Sequence, residues 1–478
     1  MNPVAIIGGG ITGLTAAFRL QQRGIPVTLY ECAPRPGGVI QSVQQQGYLA
    51  ESGPNTLLDT SPKIGSLIRD AGLEGRRLYS DPSAEKRYLV RRGRLLSLPG
   101  SGAGFLTSPL FSVTAKLRLM AEPFIRRAPA DLEESVAEFV LRRIGREFLD
   151  YAINPFVAGV YAGDPARLSV THAFPKLHAL EQRYGSLLLG QIRGARARKQ
   201  SGEVPKQEAR KISFAGGLQE LVDALALRLG GNLRLGTAVA AATRTREGWR
   251  LRLRPAGGPD TVGGPEKGAD HSAVLYAGTA YALAGLSLTA DRPIPLGVFG
   301  EIPYAPVSSL VLGFRREEVA HPLDGFGVLI PQVEGFRILG TLFSSSLFPH
   351  RAPPGHVTLT TYAGGARDPE LAMLDTNALV EVVCRDLTRL LGLRGRPTWR
   401  HHVQFRRAIP QYEVGFGRFK QRMDEVEAQA PGFFLAGHFR NGISLGDSIL
   451  AGHDAAERID RSLPRPRDRA AQTEPVHS

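Results

Sequence analysis

The sequence predicts an α/β protein whose core is a parallel sheet that binds a nucleotide at one edge. Residues 4–7 form a short apolar run, and the turn G-G-G-I-T-G at residues 8–13 follows directly, before a helical pattern. A buried strand, a G-x-G-x-x-G turn and a helix start in this order are typical of a dinucleotide site. The glycines allow a tight turn close to a pyrophosphate, whose charge is stabilised by the helix N-terminus.

The next apolar segment ends in an acid that fits the same site. Residues 26–30 are predicted to form a second strand, and Glu31 follows, where a carboxylate can bind an adenosine ribose. Residues 432–438 and 442–448, near the other end of the chain, are again rich in glycine. Two such segments at opposite ends indicate a Rossmann-like domain assembled from discontinuous segments, unlike the contiguous domain of a simple nicotinamide dehydrogenase.

Length and composition describe a large globular protein. The chain has 478 residues, 42% hydrophobic and 22% charged, so it can bury a core shared by two or three lobes. Two cysteines, Cys32 and Cys384, are too few for a disulfide framework and fit a reducing compartment. The first strand begins at residue 3 or 4, and we expect no secretion signal before it.

The formal net charge of +14 lacks the pattern of a nucleic-acid-binding protein. Basic residues are not interleaved with aromatic ones and no nucleic-acid-binding module is recognisable, so we expect no nucleic-acid partner. An anionic membrane surface or an anionic substrate accounts better for the charge.

Residues 91–204 are predicted to be mainly helical, with an apolar stripe bordered by basic residues. The stripe comprises Leu110, Val113, Leu117, Met120, Ala121 and Phe124, and is combined with Phe105, Leu106 and Phe111. Two interpretations are equally open: core helices with a solvated rim, or a helix lying in a membrane interface. Residues 272–290 are uncharged but too polar for a membrane span, so we expect a strand over 273–276 and a short helix.

Several motifs carry a family resemblance. Residues 34–38 (P-R-P-G-G) extend the nucleotide fingerprint after Glu31, and the whole pattern resembles the flavin-containing amine oxidase superfamily. The block N-P-F-V-A-G-V-Y-A-G-D-P at residues 154–165 is similar to a signature of protoporphyrinogen oxidases. Shorter blocks resemble the same family at residues 85–88, 340–345 and 348–353, and the likeness runs from residue 4 to about 460.

The resemblance implies non-covalent FAD, since neither cysteine lies in the C-terminal flavin segment. The glycine turn would hold the pyrophosphate, Val239 would contact the adenine side, and His438 would close over the isoalloxazine end. Val39 stands where many relatives have Arg, which weakens any contact transferred to that position. The positions expected at FAD are Gly8, Gly9, Gly10, Ile11, Thr12, Gly13, Glu31, Cys32, Val39, Gly53, Pro54, Asn55, Thr56, Val239, His438, Ile443, Ser444 and Leu445.

The resemblance also implies a porphyrinogen site. Arg87 matches a position that pairs with a propionate, and a guanidinium forks onto a carboxylate. Gly159 matches a site where the backbone approaches the porphyrinogen. Leu329 and Leu342 match apolar residues that sandwich the macrocycle, and Tyr362 takes a position that is Phe in plant relatives.

The reaction implied by the resemblance is oxidation of protoporphyrinogen IX to protoporphyrin IX in haem and tetrapyrrole biosynthesis. Six electrons leave in three two-electron steps, and three molecules of O₂ are reduced to H₂O₂. The flavin performs the hydride transfer, so we assign no catalytic acid or base. No histidine spacing predicts a metal site. By family analogy, a ferrochelatase would take over the product, and a homodimer is compatible with the family.

The expected organisation has three domains and a tail. The FAD-binding domain comprises residues 1–75, 205–290 and 405–460, and a substrate-binding domain with a mixed sheet comprises 76–90 and 291–404. Residues 91–204 form a helical domain that can associate with a membrane, and 461–478 form a disordered tail. We expect a cytoplasmic protein, peripheral or monotopic on the cytoplasmic membrane face.

Three alternatives remain at this point. A coproporphyrinogen III oxidase would use the same flavin chemistry on a substrate with four carboxylates instead of two, and Arg87 alone cannot separate the two enzymes. An amine oxidase or carotenoid desaturase would share the flavin domain, although the block at 154–165 argues against it. A non-enzymatic carrier of the Rab GDP-dissociation-inhibitor type would share the architecture, but here both ends of the flavin site are complete.

Overall fold

The computed structural model describes residues 2–129, 131–201, 208–256 and 267–463. The strands in these ranges are β1 Val4–Ile7, β2 Val27–Tyr30, β3 Ser42–Gln45, β4 Tyr48–Glu51, β5 Leu57–Leu58, β6 Arg77–Tyr79, β7 Lys86–Arg91, β8 Arg94–Ser97, β9 Lys211–Phe214, β10 Leu233–Arg234, β11 Thr237–Thr245, β12 Gly248–Pro255, β13 Lys267–His271, β14 Val274–Tyr276, β15 Ser287–Thr289, β16 Pro293–Ile294, β17 Tyr304–Arg315, β18 Gly325–Leu329, β19 Ile338–Leu342, β20 His356–Gly364, β21 Trp399–Pro410 and β22 Phe433–Leu435. The helices are α1 Ile11–Gln22, α2 Pro62–Asp70, α3 Gly102–Thr107, α4 Val113–Met120, α5 Val136–Arg143, α6 Arg146–Phe148, α7 Asn154–Tyr161, α8 Val170–Ala173, α9 Pro175–Tyr184, α10 Leu187–Ser201, α11 Gln219–Leu229, α12 Ala280–Leu283, α13 Ser344–Leu347, α14 Thr376–Leu391, α15 Gly417–Gln429 and α16 Leu445–Ser462.

A five-stranded parallel sheet unites both ends of the chain. Its strand order is β10-β2-β1-β14-β22, so the first strand lies two positions from the last. β22 pairs with β14, with Phe433 opposite Val274. The strands are short and buried, as expected for a sheet covered on both faces. The predicted strand and short helix within residues 272–290 are present as β14 and α12.

The helices α1, α2, α11 and α16 share one apolar core with this sheet. Their starts follow local capping chemistry: the Ser61 hydroxyl accepts from Lys63 N at α2, and Ser444 and Asp447 form a capping box at α16. α1 and α16 pack closely, because a Cβ on Gly452 would lie only 2.4 Å from the carbonyl oxygen of Thr12. The glycine therefore sets the distance between the first and the last helix.

A seven-stranded mixed sheet forms the second large layer, in the order β21-β17-β20-β19-β18-β7-β8. Only β18 and β7 pair in parallel; the other pairs are antiparallel. Helix α14 covers one face with Leu379, Val383 and Leu387, which recur every fourth residue and are fully buried. The opposite face is thereby left for the helical segment and the site described below.

The remaining strands form three further sheets. β13-β12-β11-β15-β16 form a five-stranded sheet, β5-β9-β6 a three-stranded one and β3-β4 a hairpin. The backbone N–H of Thr237, the first residue of β11, donates to the carbonyl oxygen of Glu31, which ties this sheet to the end of β2.

In the helical segment α3–α10, the apolar stripe is divided into a buried group and an exposed group. Leu110 and Phe111 are buried, and the Phe111 ring stacks on Phe148 at 4.4 Å between centroids. From Val113 onward the stripe is exposed, reaching 90% at Phe124. A core interpretation is therefore wrong for the second group and right for the first. Among the described residues, every helix is too short or too polar to cross a membrane.

The predicted domain boundaries remain predictions. The strands of the parallel sheet do come from the three segments expected to form the FAD-binding domain, and β8 is a strand inside the segment predicted to be mainly helical. α16 extends to Ser462, and residues 464–478, most of the predicted tail, lie outside the described residues.

Candidate active site

The turn between β1 and α1 requires glycine at two positions. Gly8 has a φ of 111°, and a Cβ there would lie 2.9 Å from the carbonyl carbon of Ala277. A Cβ on Gly13 would lie 2.0 Å from the carbonyl oxygen of Gly8. Gly10 is the N-cap of α1 and offers no side-chain cap. The start of α1 thus carries no side chain that would compete with an anion for its N–H groups.

The carboxylate of Glu31 is bound to the same turn. Its Oε2 accepts a hydrogen bond from Gly9 N at 2.6 Å, and its Oε1 accepts from Ala33 N at 2.7 Å. The exposed Cys32 thiol lies 3.4 Å from Oε1. Each carboxylate oxygen has a second lone pair, so Glu31 can hold the turn and still accept from ribose hydroxyls. Half-buried Val239 lies two residues beyond the backbone contact to Glu31.

The segment after β22 reaches the same edge of the parallel sheet. Because β1, β2, β14 and β22 run in parallel, the residues that follow them meet at their carboxyl ends. The Thr12 hydroxyl donates to the carbonyl oxygen of Ser448 at 3.0 Å, which brings the start of α1 to the first turn of α16. Ile443, Ser444 and Leu445 form the entry to α16.

His438 is a partly buried, neutral imidazole in contact with a tyrosine. Its Nε2 lies 3.2 Å from the Tyr304 hydroxyl, which accepts from Ala280 N at 3.1 Å. The tautomer of His438 decides which of the two groups donates in this contact. Burial lowers the pKa of His438 to about 4, so the ring is uncharged at neutral pH. The Tyr412 hydroxyl donates to the carbonyl oxygen of His438 and fixes its backbone.

The segment of residues 53–56 is linked to the glycine turn at residues 8–13 through residues 37–39. Gly37 N donates to the carbonyl oxygen of Gly9 at 2.8 Å, and a Cβ on Gly53 would lie 2.3 Å from the carbonyl oxygen of Val39. The Val39 side chain itself is half exposed, so its backbone makes this contact. Pro54, Asn55 and Thr56 follow without regular secondary structure and lead into β5.

These parts fit an extended dinucleotide cofactor. Gly8 and Gly13 let the turn pack tightly against neighbouring backbone, α1 begins without a side-chain cap, and the Glu31 carboxylate fits a ribose. The structure thus brings the predicted FAD residues of the N-terminal, middle and C-terminal segments to one edge. Contact of each residue with FAD stays a prediction.

The residues predicted to bind substrate share one face of the seven-stranded sheet. Leu329 is opposite Gly340, which is opposite Tyr362. The neighbouring row runs from Arg87 through Gly327 to Leu342. Residues opposite each other in a sheet point to the same side. Gly327 and Gly340 carry no side chains, so this face is recessed between Leu329, Leu342 and Tyr362, all of which are half-buried.

Helix α7 lies over this face and brings Gly159 to it. A Cβ on Gly159 would lie 2.7 Å from the Leu329 Cδ2 atom, so glycine is needed for the close approach. The Asn154 side chain at the start of α7 accepts from Gln332 N at 3.0 Å, which links the helix to the loop after β18. All five predicted substrate residues are thereby brought to one region; their contact with substrate stays a prediction.

Two groups escaped the sequence analysis. The Lys211 ammonium lies 5.3 Å from the Phe326 ring centroid, and burial together with the charge of Arg87 lowers its pKa. The Tyr304 hydroxyl lies within hydrogen-bond distance of His438 Nε2. Neither residue lies in a motif, and each meets its partner only through the fold. In the described ranges, no group of three or more His, Cys, Asp or Glu residues suits a metal ion.

Comparison with known proteins identifies the family. A family model described as flavin containing amine oxidoreductase matches residues 11–460. The chain belongs to this family. It is 37% identical to protoporphyrinogen oxidase 2, chloroplastic/mitochondrial, of Arabidopsis thaliana, over 95% of this chain and 93% of that relative. A mitochondrial protoporphyrinogen oxidase of Nicotiana tabacum is 35% identical, with 95% and 94% covered. A coproporphyrinogen III oxidase of Bacillus subtilis is 28% identical, with 95% and 96% covered.

Solved structures support the fold of this family member. A provisionally named protoporphyrinogen oxidase from Exiguobacterium sp. 255-15 has a TM-score of 0.78 at 22% identity, and covers 97% of this chain and 99% of its own. A reduced UDP-galactopyranose mutase has a TM-score of 0.72 at 16% identity, with 97% and 94% covered. The predicted fold class and the family resemblance are confirmed, as is an oxidoreductase that uses FAD.

Proposed function

We propose that this protein oxidises protoporphyrinogen IX to protoporphyrin IX with bound FAD and molecular oxygen. The observation that carries the proposal is the recessed apolar face of the seven-stranded sheet, which has Arg87 in one of its rows. Asn55, in the segment predicted to line the cofactor, donates a hydrogen bond to Tyr362 on this face. A flat macrocycle fits such a face, and a guanidinium matches its carboxylate. The names of the plant relatives support the same substrate.

Each residue then has a physical task. Leu329 and Leu342 bury the apolar macrocycle and exclude water from its bridge carbons, while Arg87 fixes one carboxylate and so the orientation of the ring. FAD, when bound, supplies the redox chemistry, and three O₂ take up six electrons and six protons as three H₂O₂. His438, with its pKa lowered to about 4 by burial, is uncharged beside the predicted flavin position at neutral pH.

Oxidation of both porphyrinogens by the holoprotein tests the function directly. We expect anaerobic protoporphyrinogen to bleach the flavin absorbance and air to restore it, with three H₂O₂ per porphyrin. Coproporphyrinogen III oxidase is the second candidate, because Lys211 near Arg87 adds a cation for a substrate with more carboxylates. A higher kcat/KM with coproporphyrinogen III would replace our proposal with that candidate.

Arg87→Gln is expected to raise the KM for protoporphyrinogen with little change in kcat. A hydrogen bond to a charged group contributes about 1.5–3 kcal/mol, which corresponds to a rise in KM of about tenfold to a hundredfold. Lys86→Gln is the matched control, since Lys86 precedes Arg87 on β7 and makes an exposed ion pair with Asp324. Equal KM values for the parent and Arg87→Gln would remove Arg87 from the substrate site.

We also propose that the protein binds peripherally to an anionic membrane through the exposed part of the stripe. Val113, Leu117 and Met120 recur along one side of α4 and are 71%, 64% and 62% exposed, and Phe124 follows at 90%. The Lys116 ammonium donates a hydrogen bond to the carbonyl oxygen of Leu106 at 2.7 Å, which holds the end of α3 against α4. An apolar surface with basic neighbours is typical of interfacial segments.

The double variant Leu117→Asp/Phe124→Asp is expected to lose at least tenfold in affinity for vesicles that contain phosphatidylserine. Burial of one such side chain contributes about 1.5–3 kcal/mol, and the new charges oppose binding to an anionic surface. Flotation of the holoprotein with vesicles measures the affinity. Leu227→Asp is the control, because Leu227 is an exposed leucine on another helix, α11, and its exposure of 81% lies between those of Leu117 and Phe124. Unchanged flotation of the double variant would contradict the proposal.

A ferrochelatase partner and a homodimer remain predictions from the family resemblance.

A further inference from the structure

The Tyr362 side chain has two parts with different surroundings. Its ring packs against an apolar cluster that includes Ala158, Val307 and Leu339, on the face predicted to bind substrate. Its hydroxyl group points to another part of the chain. The predicted role as an apolar contact uses the ring and leaves the hydroxyl without a function.

That hydroxyl accepts one hydrogen bond from, and donates one to, the same short segment. Asn55 Nδ2 donates to the Tyr362 oxygen at 2.6 Å, and the Tyr362 O–H donates to the carbonyl oxygen of Gly53 at 3.1 Å. Burial raises the pKa of Tyr362, which keeps the hydroxyl protonated and able to donate. The tyrosine therefore holds a backbone group and a side chain of residues 53–55 at once.

This segment depends on such contacts for its position. Residues 53–56 form neither helix nor strand, and lie between β4 and β5. On its other side, Gly53 lies directly against the carbonyl oxygen of Val39, so the backbone is fixed between that oxygen and the tyrosine. A residue on β20 of the substrate sheet thereby determines where the predicted flavin-lining segment lies.

We infer that Tyr362 is a positioning residue for FAD: its hydroxyl holds residues 53–55 in the conformation that binds the cofactor, while its ring forms part of the substrate site. The inference rests on the proposed function and makes it more specific, because one side chain sets the wall of the substrate site and the position of the cofactor segment together. The hydroxyl would act through Gly53 and Asn55, without touching substrate.

Tyr362→Phe is expected to release FAD more readily and to leave substrate binding almost unchanged. The variant keeps the ring and removes only the hydroxyl, with its two hydrogen bonds of about 0.5–1.5 kcal/mol each. We expect the dissociation constant of FAD, measured on dilution of the holoprotein from the fluorescence of released flavin, to rise about tenfold, or about 1.4 kcal/mol. The KM for protoporphyrinogen should stay within about twofold of the parent, which is within about 0.4 kcal/mol on the same scale.

A double-mutant cycle with Asn55→Ala separates this role from general destabilisation. If the hydroxyl acts through Asn55, Tyr362→Phe should weaken FAD binding by only about threefold in the Asn55→Ala background, because one of its two bonds is already lost. Tyr88→Phe is the matched control: Tyr88 lies on the same sheet, and its hydroxyl donates to Asp324. We expect this control to hold FAD as the parent does.

Two outcomes would overturn the inference. One is release of FAD from Tyr362→Phe at the rate of the parent, together with a raised KM, which would leave the hydroxyl a substrate contact only. The other is full additivity of Tyr362→Phe and Asn55→Ala. A parent protein that binds FAD but oxidises no porphyrinogen would contradict the proposed function alone, since the release of FAD can still be compared between variants.

Discussion

Gly13→Ala is expected to yield a folded protein that purifies without FAD. The new Cβ would lie 2.0 Å from the carbonyl oxygen of Gly8 and 3.3 Å from Ile6 Cγ2. The first contact is with backbone, so no side-chain rotation relieves it. Gly8 cannot move away, because at its φ of 111° it already lies against the backbone of Ala277 and Gly278. The turn has to open, and the N–H groups at the start of α1 lose their alignment toward the cofactor.

The ratio of flavin to protein absorbance measures this effect. Overpacking commonly costs about 1–3 kcal/mol, and concentrated at the turn it would lower FAD affinity about fivefold to a hundredfold. Gly75→Ala is the control, because a Cβ at Gly75 meets nothing within 4 Å. Stoichiometric flavin in Gly13→Ala would show that the turn tolerates a methyl group and that FAD does not depend on its geometry.

The sequence predicts this part of the site well because the chemistry is local. A tight turn between a strand and a helix can be recognised from glycine spacing alone, and Glu31 contacts Gly9 within the same strand–helix–strand unit. The assembly of both chain ends into one sheet was predictable for a similar reason, since each glycine-rich segment suits the carboxyl end of a parallel strand.

The contacts that sequence reasoning missed join distant residues. Asn55 and Tyr362 are 307 positions apart, and neither position suggests the other. Lys211 reaches Phe326 only after β9 and β18 are folded. The family resemblance selected the substrate residues, but their common face depends on strand register, which local patterns do not specify.

The apolar stripe shows a different limit of prediction from sequence. Helical periodicity identifies which side chains share a face, but not whether anything covers that face. Leu110 is covered by the aromatic cluster, and Phe124, in the same pattern, is exposed. The neighbouring chain decides between the two cases, so the sequence left both interpretations open.

Arg143→Met is expected to destabilise the helical segment by about 3–5 kcal/mol, because it leaves a buried carboxylate without its cation. Arg143 and Glu122 are both fully buried and form an ion pair at 2.5 Å. Arg143 also donates to the carbonyl oxygens of Ile125 and Gly185. The variant therefore removes the partner of a charge and of two backbone groups at once.

Glu122 cannot compensate by leaving its site. Its carboxylate accepts from Leu187 N at 2.9 Å and from the Ser186 hydroxyl, and so caps the start of α10. It thus joins the chain after α4 to α10, while Arg143 joins both to α5. Replacing Glu122 as well should recover only part of the lost stability, since the N–H groups of α10 would lose their cap.

Hydrogen exchange of the α5 and α10 amides measures the loss locally, which matters in a chain with several domains. We expect exchange to accelerate at least a hundredfold, the equivalent of about 3 kcal/mol. Arg146→Met is the control, because Arg146 makes an exposed i,i+4 pair with Asp150 that contributes about 0.2–0.5 kcal/mol. Equal protection in Arg143→Met and Arg146→Met would contradict the assigned role of the buried pair.

The position of this ion pair gives the prediction a functional consequence. Glu122 is two residues before Phe124, the most exposed side chain of the apolar stripe, so the buried pair anchors the chain that carries the proposed membrane contact. If that contact requires a fixed surface, Arg143→Met should weaken vesicle binding although it changes no exposed residue. Vesicle flotation at a temperature where the variant remains folded separates the two effects. Loss of protection with unchanged flotation would show that the apolar stripe binds membranes without a rigid anchor.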